Sequence, residues 1–386
     1  MLTTNNKQHK NHKSETGKMT ETESNDAWLG LLKWSLNYVD GTVPSSESSG
    51  LTEMTAEKRA FLEEVMKNGI IDEGQRMKTI LSSLVQYLDH ILLKEEDKIK
   101  SADKEKIISK DEVKNILFEL QDIVEQIDYA KSFAAMGGIK FLLGCSTCRE
   151  VPEDIKSGCL AVLSTLCQNN PPVQFMMLEH GAIMKLLDLY STEVSLLKNK
   201  NENNRIQEEV ESSSCQLGTK IMQVLSSSVR NHEAAERILC MNTDSVKVIE
   251  SGLGLHSKNE ATLPPDSALR QKTLFFLQAL VTSDSADYDR LQMFSPAIQF
   301  VASDFLDPER ETSQEMREMA LSMLLRVLEK KQCVNSILDL KNSIVSLGIK
   351  RIHALRQLDG EDEEYAKEEL NLWESLVATI ARASRD

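Results

Sequence analysis

Residues 133–143, FAAMGGIKFLL, return as MLEHGAIMKLL at 177–187. Phe133 matches Met177, Gly137 matches Gly181, Ile139 matches Ile183, and Leu142–Leu143 match Leu186–Leu187, each pair 44 residues apart. Upstream, Leu120, Ile123 and Val124 match Leu163, Leu166 and Cys167 at a spacing of 43, so the one-residue difference falls in a loop. A chain that repeats its apolar positions at one interval builds the same unit more than once, and each unit needs a stacked neighbour to bury its apolar face. Within a copy the periodicity reads as a long helix, a turn, a short helix closed by glycine, and a third helix starting at the isoleucine. Pro171 and Pro172 suit the start of the second helix, where a missing N–H costs little. Gly181 suits its C-terminal cap.

The pattern continues with more variation. CQLGTKIMQVLSSSVRNHEAAERILCMNTDSVKVI (215–249) is a third copy and ALRQKTLFFLQALVTSDSADYDRLQMFSPAIQFVAS (268–303) a fourth. There Ala297–Ile298 stand where Ala182–Ile183 stood, and Pro296 replaces the glycine. Three-helix units of about 40–47 residues are the armadillo/HEAT class of repeat. The expected fold is therefore all-α, a right-handed superhelical solenoid of three-helix repeats with atypical helical ends. Its units fall at about 111–148, 153–194, 215–256, 267–307 and 312–350, and an amphipathic C-terminal helix, 361–384, carries Leu370, Trp373, Val377 and Ile380. Polar insertions at about 195–214 and 257–266 read as surface loops.

Ahead of the repeats lie a polar leader (1–24), expected to be disordered, and NDAWLGLLKWSLNYVDGT (25–42). Asp26, Gly30, Lys33, Asn37 and Asp40 share one stripe at helical spacing, and Trp28, Leu31, Leu32 and Trp34 lie off it. So narrow a polar stripe predicts a helix that is buried, either on the rest of the chain or on a partner. A flexible linker (43–52) follows, and helical patterns from 53 and over 72–93 open the solenoid.

Composition narrows the function. A net charge of −15 over 386 residues argues against nucleic acid, which needs a basic face. The leader has no apolar core of a secretory signal and no window is apolar enough to span a membrane, so the cytoplasm is expected. Of seven cysteines, Cys145 and Cys148 form a C-x-x-C without a second pair at zinc-like spacing, while Cys159 and Cys167 share the apolar phase of a helix; packing thiols are expected. GLGLHS (252–257) lacks the third glycine of a dinucleotide fingerprint, and no nucleophile elbow, phosphate loop or zinc-protease motif occurs. The reading is a monomeric protein that binds another protein, with no cofactor, no metal and no catalysis.

The order LLKWSLNYVDGT, MTAEKRAFLEEVM, QRMKTIL, ILFELQDIVEQIDYAKSFAAMGGIKFLL, LSTLCQNNPPVQ, HGAIMKLLDLY, LRQKTLFFLQALV and EEYAKEELNLWESLV resembles the Fes1/heat-shock-protein-binding family of armadillo-type nucleotide exchange factors. The likeness covers about residues 26–382. It implies binding to the ATPase domain of a cytosolic heat-shock protein 70 (DnaK-type) chaperone, opening of its nucleotide cleft, ADP release and then client release. It also implies that third helices line the concave side, where their non-core positions Lys140, Lys185, Asp188, Lys247, Glu250 and Gln299 would meet the chaperone, with Arg270 from a first helix. The Trp/Leu segment would compete for the chaperone's peptide groove or dock on the first solenoid helices. The alternatives are an armadillo adaptor or scaffold with another partner and an ER-resident exchange factor. The tryptophans lie at the chain ends rather than in an importin-like ladder, and no signal sequence is seen.

Overall fold

A computed structural model describes residues 72–92, 108–203, 208–255, 267–330, 337 and 339–383. The chain divides into Met1–Asp72 and Glu73–Asp386. The leader, the 25–42 segment with Trp28, Leu31, Leu32 and Trp34, the linker and the helical pattern from 53 all lie outside the described residues. The architecture is that of the second unit, in which every described regular element is helical.

A helix α1 (Glu73–Leu92) precedes the repeats. The first repeat is α2 (Lys110–Val124), α3 (Ile127–Ala135) and α4 (Gly138–Thr147). The second is α5 (Glu153–Cys167), α6 (Pro171–Glu179) and α7 (Ala182–Asn203). The third is α8 (Glu208–Val229), α9 (Glu233–Met241) and α10 (Asp244–Leu253). The fourth is α11 (Ser267–Thr282), α12 (Tyr288–Met293) and α13 (Ser295–Phe300), which runs into a π-helical turn, Val301–Phe305. The fifth contributes α14 (Gln314–Glu329) and α15 (Lys341–Leu355), and α16 (Glu361–Ala383) ends the described chain.

Local chemistry sets these boundaries. Ser109 and Glu112 form a reciprocal capping box at α2: the Glu112 N–H donates to Ser109 Oγ at 3.2 Å, and the Ser109 N–H donates to Glu112 Oε2 at 2.8 Å. Gly137 (φ 87°) and Gly181 (φ 63°) turn second helices into third helices through the left-handed region, as the repeat alignment predicts. The turn from first to second helix uses asparagine instead, at Asn169 (φ 53°) and Asn231 (φ 61°), a residue that tolerates this region.

First helices stack on first helices: α2 on α5, α5 on α8, α8 on α11, α11 on α14. The C-terminal helix α16 continues this row by packing on α14. Third helices form a second row, α4–α7–α10–α13, and second helices α3, α6 and α9 a third. This stacking of three-helix units is the armadillo arrangement. Each apolar position aligned in the repeat is buried, among them Leu120 with Leu163, Ile139 with Ile183, and Leu142–Leu143 with Leu186–Leu187.

Buried polar side chains lock the joints between units. Gln174, fourth residue of α6, donates through Nε2 to the Ser227 and Arg230 carbonyls at 2.8 and 3.0 Å, closing the second repeat on the end of α8. Glu236, the corresponding residue of α9, accepts from Arg290 Nη1 at 2.7 Å and from the Ser283 and Ser285 hydroxyls at 2.8 and 2.5 Å. At the C-terminal end the fully buried Glu369 of α16 accepts two N–H bonds from Arg317 (3.1 and 2.9 Å) and two from Arg351 (2.8 and 3.0 Å). Burial pushes the Glu369 carboxyl up, but the two guanidiniums outweigh it and hold the group below the usual glutamate range.

One expectation is corrected. Within the polar stretch 195–214 the described residues are helical: α7 runs to Asn203 and α8 starts at Glu208, so most of the insertion lengthens two helices. Between Gly181 and Gly218 there is no glycine or proline to break a helix, and Leu, Lys, Glu and Gln favour one. The stretch 257–266 lies outside the described residues.

Two predictions follow from packing. A Cβ at Gly138 would lie 2.1 Å from the buried Phe133 ring, whereas the second repeat carries Met177 and Ala182 at the same two positions. Gly138→Ala should destabilise the protein by about 1–3 kcal/mol through overpacking, and adding Phe133→Met should recover most of it; thermal unfolding checks both. Glu369→Gln strands the buried Arg317 guanidinium and should cost about 3–5 kcal/mol at neutral pH. Because the folded carboxyl titrates below its unfolded value, its contribution persists above the usual glutamate range and is lost as pH falls through the lowered value. The melting gap between wild type and variant should therefore narrow in acid.

Candidate functional site

Four neighbouring third helices carry the predicted contact positions, and burial separates these from the core. On α4, Ile139, Leu142 and Leu143 point inward and Lys140 is exposed. On α7, Ile183, Leu186 and Leu187 are buried while Lys185 and Asp188 are exposed. On α10, Val248 and Ile249 are buried, Glu250 is half-buried, and the exposed Lys247 ammonium lies 3.0 Å from Asp244 Oδ1. Gln299 of α13 is half-buried beside the buried Ala297–Ile298 pair. The helical period that buries the isoleucines and leucines thus places a mixed-sign polar stripe on successive units.

Arg270 differs from the rest. Its Nη2 lies 3.0 Å from Asp304 and 3.6 Å from Glu311, and the guanidinium sits 4.4 Å from the centre of the Phe305 ring. The side chain is 16% exposed. It ties α11 to the π-helical turn of its own repeat, so its charge is spent inside the unit.

Lys185 and Asp188 also line an open groove of about 790 Å³ between α7 and the α4–α5 connection. Arg149, Glu150, Glu153, Lys156 and Glu193 complete its charged lining. Sequence reasoning missed these five because it took contact positions from third helices and from a single first-helix arginine. The signal was the short stretch 148–152, which brings the start of a first helix beside the end of a third. Lys156 and Glu193 are themselves buried, whereas Lys185 and Asp188 are exposed. Alternating charges on a helical scaffold suit recognition of a complementary protein surface.

No cysteine lines this groove, although Cys148 stands beside it. The Cys159 thiol is pushed well up by its hydrogen bond to Cys145 and by burial, and burial alone raises Cys167. Cys148 is raised by its half-buried position, and its Sγ donates to Glu150 Oε2 at 3.1 Å. Raised thiols are poor nucleophiles and poor metal ligands at neutral pH. Among the described residues no group of three His, Cys, Asp or Glu is placed to hold a metal ion, and no helix is long and apolar enough to cross a membrane.

No family model matches this chain, and no curated protein matches its sequence. Among solved structures it is similar to an engineered protein, at 13% identity over 69% of this chain and 92% of the other, with a TM-score of 0.47. A designed armadillo repeat protein matches at 10% identity over 70% of this chain and 94% of its own, TM-score 0.46. An armadillo-repeats-only protein from Plasmodium falciparum matches at 12% identity over 67% and 98%, TM-score 0.39.

Proposed function

We propose that this chain is a nucleotide exchange factor for a cytosolic heat-shock protein 70, acting through its row of third helices. The observation that carries the reading is the polar stripe of exposed Lys140, Lys185, Asp188 and Lys247 and half-buried Glu250 and Gln299, set on a continuous buried core. The resemblance of LLKWSLNYVDGT, QIDYAKSF and QNNPP to the exchange-factor family supplies the partner. A stacked solenoid offers one long surface whose side chains keep fixed spacing, which suits gripping one lobe of a two-lobed ATPase domain. Arg270 is left out of the proposed contact set because its guanidinium is paired and only 16% exposed, unlike the exposed Lys247.

The mechanism is linkage rather than covalent chemistry. A protein that binds the open cleft better than the closed one shifts the ATPase domain toward the open state. Nucleotide favours the closed state, so each ligand weakens the other by the same factor. ADP leaves, ATP enters, and the client is released. The other reading, an armadillo scaffold with a different partner, rests on the same stripe without the sequence resemblance.

The test is release of a fluorescent ADP analogue from a cytosolic heat-shock protein 70 at equal concentrations of the two proteins. Strong acceleration is expected, and Lys140→Glu with Lys185→Glu should weaken binding tenfold or more, about 1.4 kcal/mol, with unchanged thermal unfolding. No acceleration across several cytosolic chaperones would leave the scaffold reading.

A further inference from the structure

A second groove, of about 870 Å³, lies at the other kind of joint, where first helices end and second helices begin. It spans the second to fifth repeats, and no third-helix residue lines it. We propose that this groove binds an extended acidic peptide segment of a partner protein. The inference does not rest on the exchange reading.

Two arginines carry the argument. Arg76, Arg237, Arg290, Arg317 and Arg351 each face a carboxylate of this chain. Arg230 and Arg326 form no ion pair with any described residue, and both line this groove. The Arg230 guanidinium lies 4.9 Å from the centre of the Phe275 ring, and that ring is 38% exposed. This cation–π contact leaves N–H groups of the guanidinium for a carboxylate. Arg326 stands on the next first helix, α14, and is exposed.

Amides supply the rest. Asn169 and Asn231 occupy equivalent turns at positive φ, are exposed, and make no side-chain hydrogen bond within the described chain. Each amide carries both a donor and an acceptor, so it can pair with the N–H and C=O of an extended backbone. The two carboxylates at the rim, Glu233 and Asp284, oppose a polyanion charged at every step. Glu233 is already engaged by Arg237, and Glu236 is buried and satisfied by Arg290, Ser283 and Ser285. A peptide can place its acids opposite Arg230 and Arg326 alone, which a nucleic acid cannot.

The experiment is fluorescence anisotropy with the full chain and three probes: a labelled peptide of alternating Glu and Gly, its Lys counterpart, and an oligouridylate. Saturable binding of the Glu peptide is expected, at least about tenfold tighter than the Lys peptide, against the direction that a net charge of −15 favours. Arg230→Ala with Arg326→Ala should weaken it more than tenfold, since each removes a charge-assisted hydrogen bond to the peptide. Lys at both positions keeps the charge but loses the fork, and should recover only part of the binding. Equal affinity for the Lys peptide, tighter binding of the oligouridylate, or undiminished binding by a double-Ala variant that melts like wild type would each overturn the proposal.

Discussion

Everything else in the described structure hangs on the direct stacking of one first helix on the next. From α2 to α14 these helices bury Leu117, Leu120, Leu160, Leu163, Leu225, Leu277 and Leu324, and α16 extends the row. The stack is held by dispersion and apolar burial, which have no direction of their own and would tolerate a slip between units. Direction comes from the polar joints. Gln174 reads two carbonyls at the end of the following first helix, and Glu236 reads the turn and the arginine of the following second helix. A misplaced unit would leave these buried groups unpaired, at about 1–3 kcal/mol for a neutral group and more for a charge. The core thus makes the units adhere, and the polar joints set how they meet.

That division of labour frees two other surfaces. The third helices need only one face for the core, so their other positions carry lysines, acids and a glutamine. The edge where first helices meet second helices is partly consumed by the joints themselves, yet Arg230, Arg326 and the two turn asparagines remain beside them. Arg230 shows both uses in one residue: its carbonyl accepts from Gln174, and its guanidinium lies over the Phe275 ring.

Much of the fold was legible because repetition multiplies a weak signal. A single GAIxxLL says little, but two copies 44 residues apart mark the buried phase, the glycine turn and the third helix together, and all three stand in the structure. The length of α7 and α8 was missed because polarity was taken for a loop, whereas helix propensity without a breaker prevailed. The internal contacts of Arg270 were not foreseen, for a different reason. Its partners Asp304 and Glu311 are 34 and 41 residues away, and periodicity within one helix cannot reveal them. The α4–α7 groove and the arginine groove were invisible for the same reason, since each is assembled from different repeats. One-dimensional spacing reports what a helix shows to its core. It does not report what several helices show together.

The most direct test of the account is backbone hydrogen exchange of the full chain, free and with a nucleotide-free heat-shock protein 70 ATPase domain. In the free protein, α5, α8 and α11 should exchange most slowly, because the stack they form is the part that opens last. Complex formation should add protection along α4, α7 and α10 and leave the row of first helices unchanged. Fast exchange in α5, α8 and α11, or new protection centred on the first helices, would contradict it.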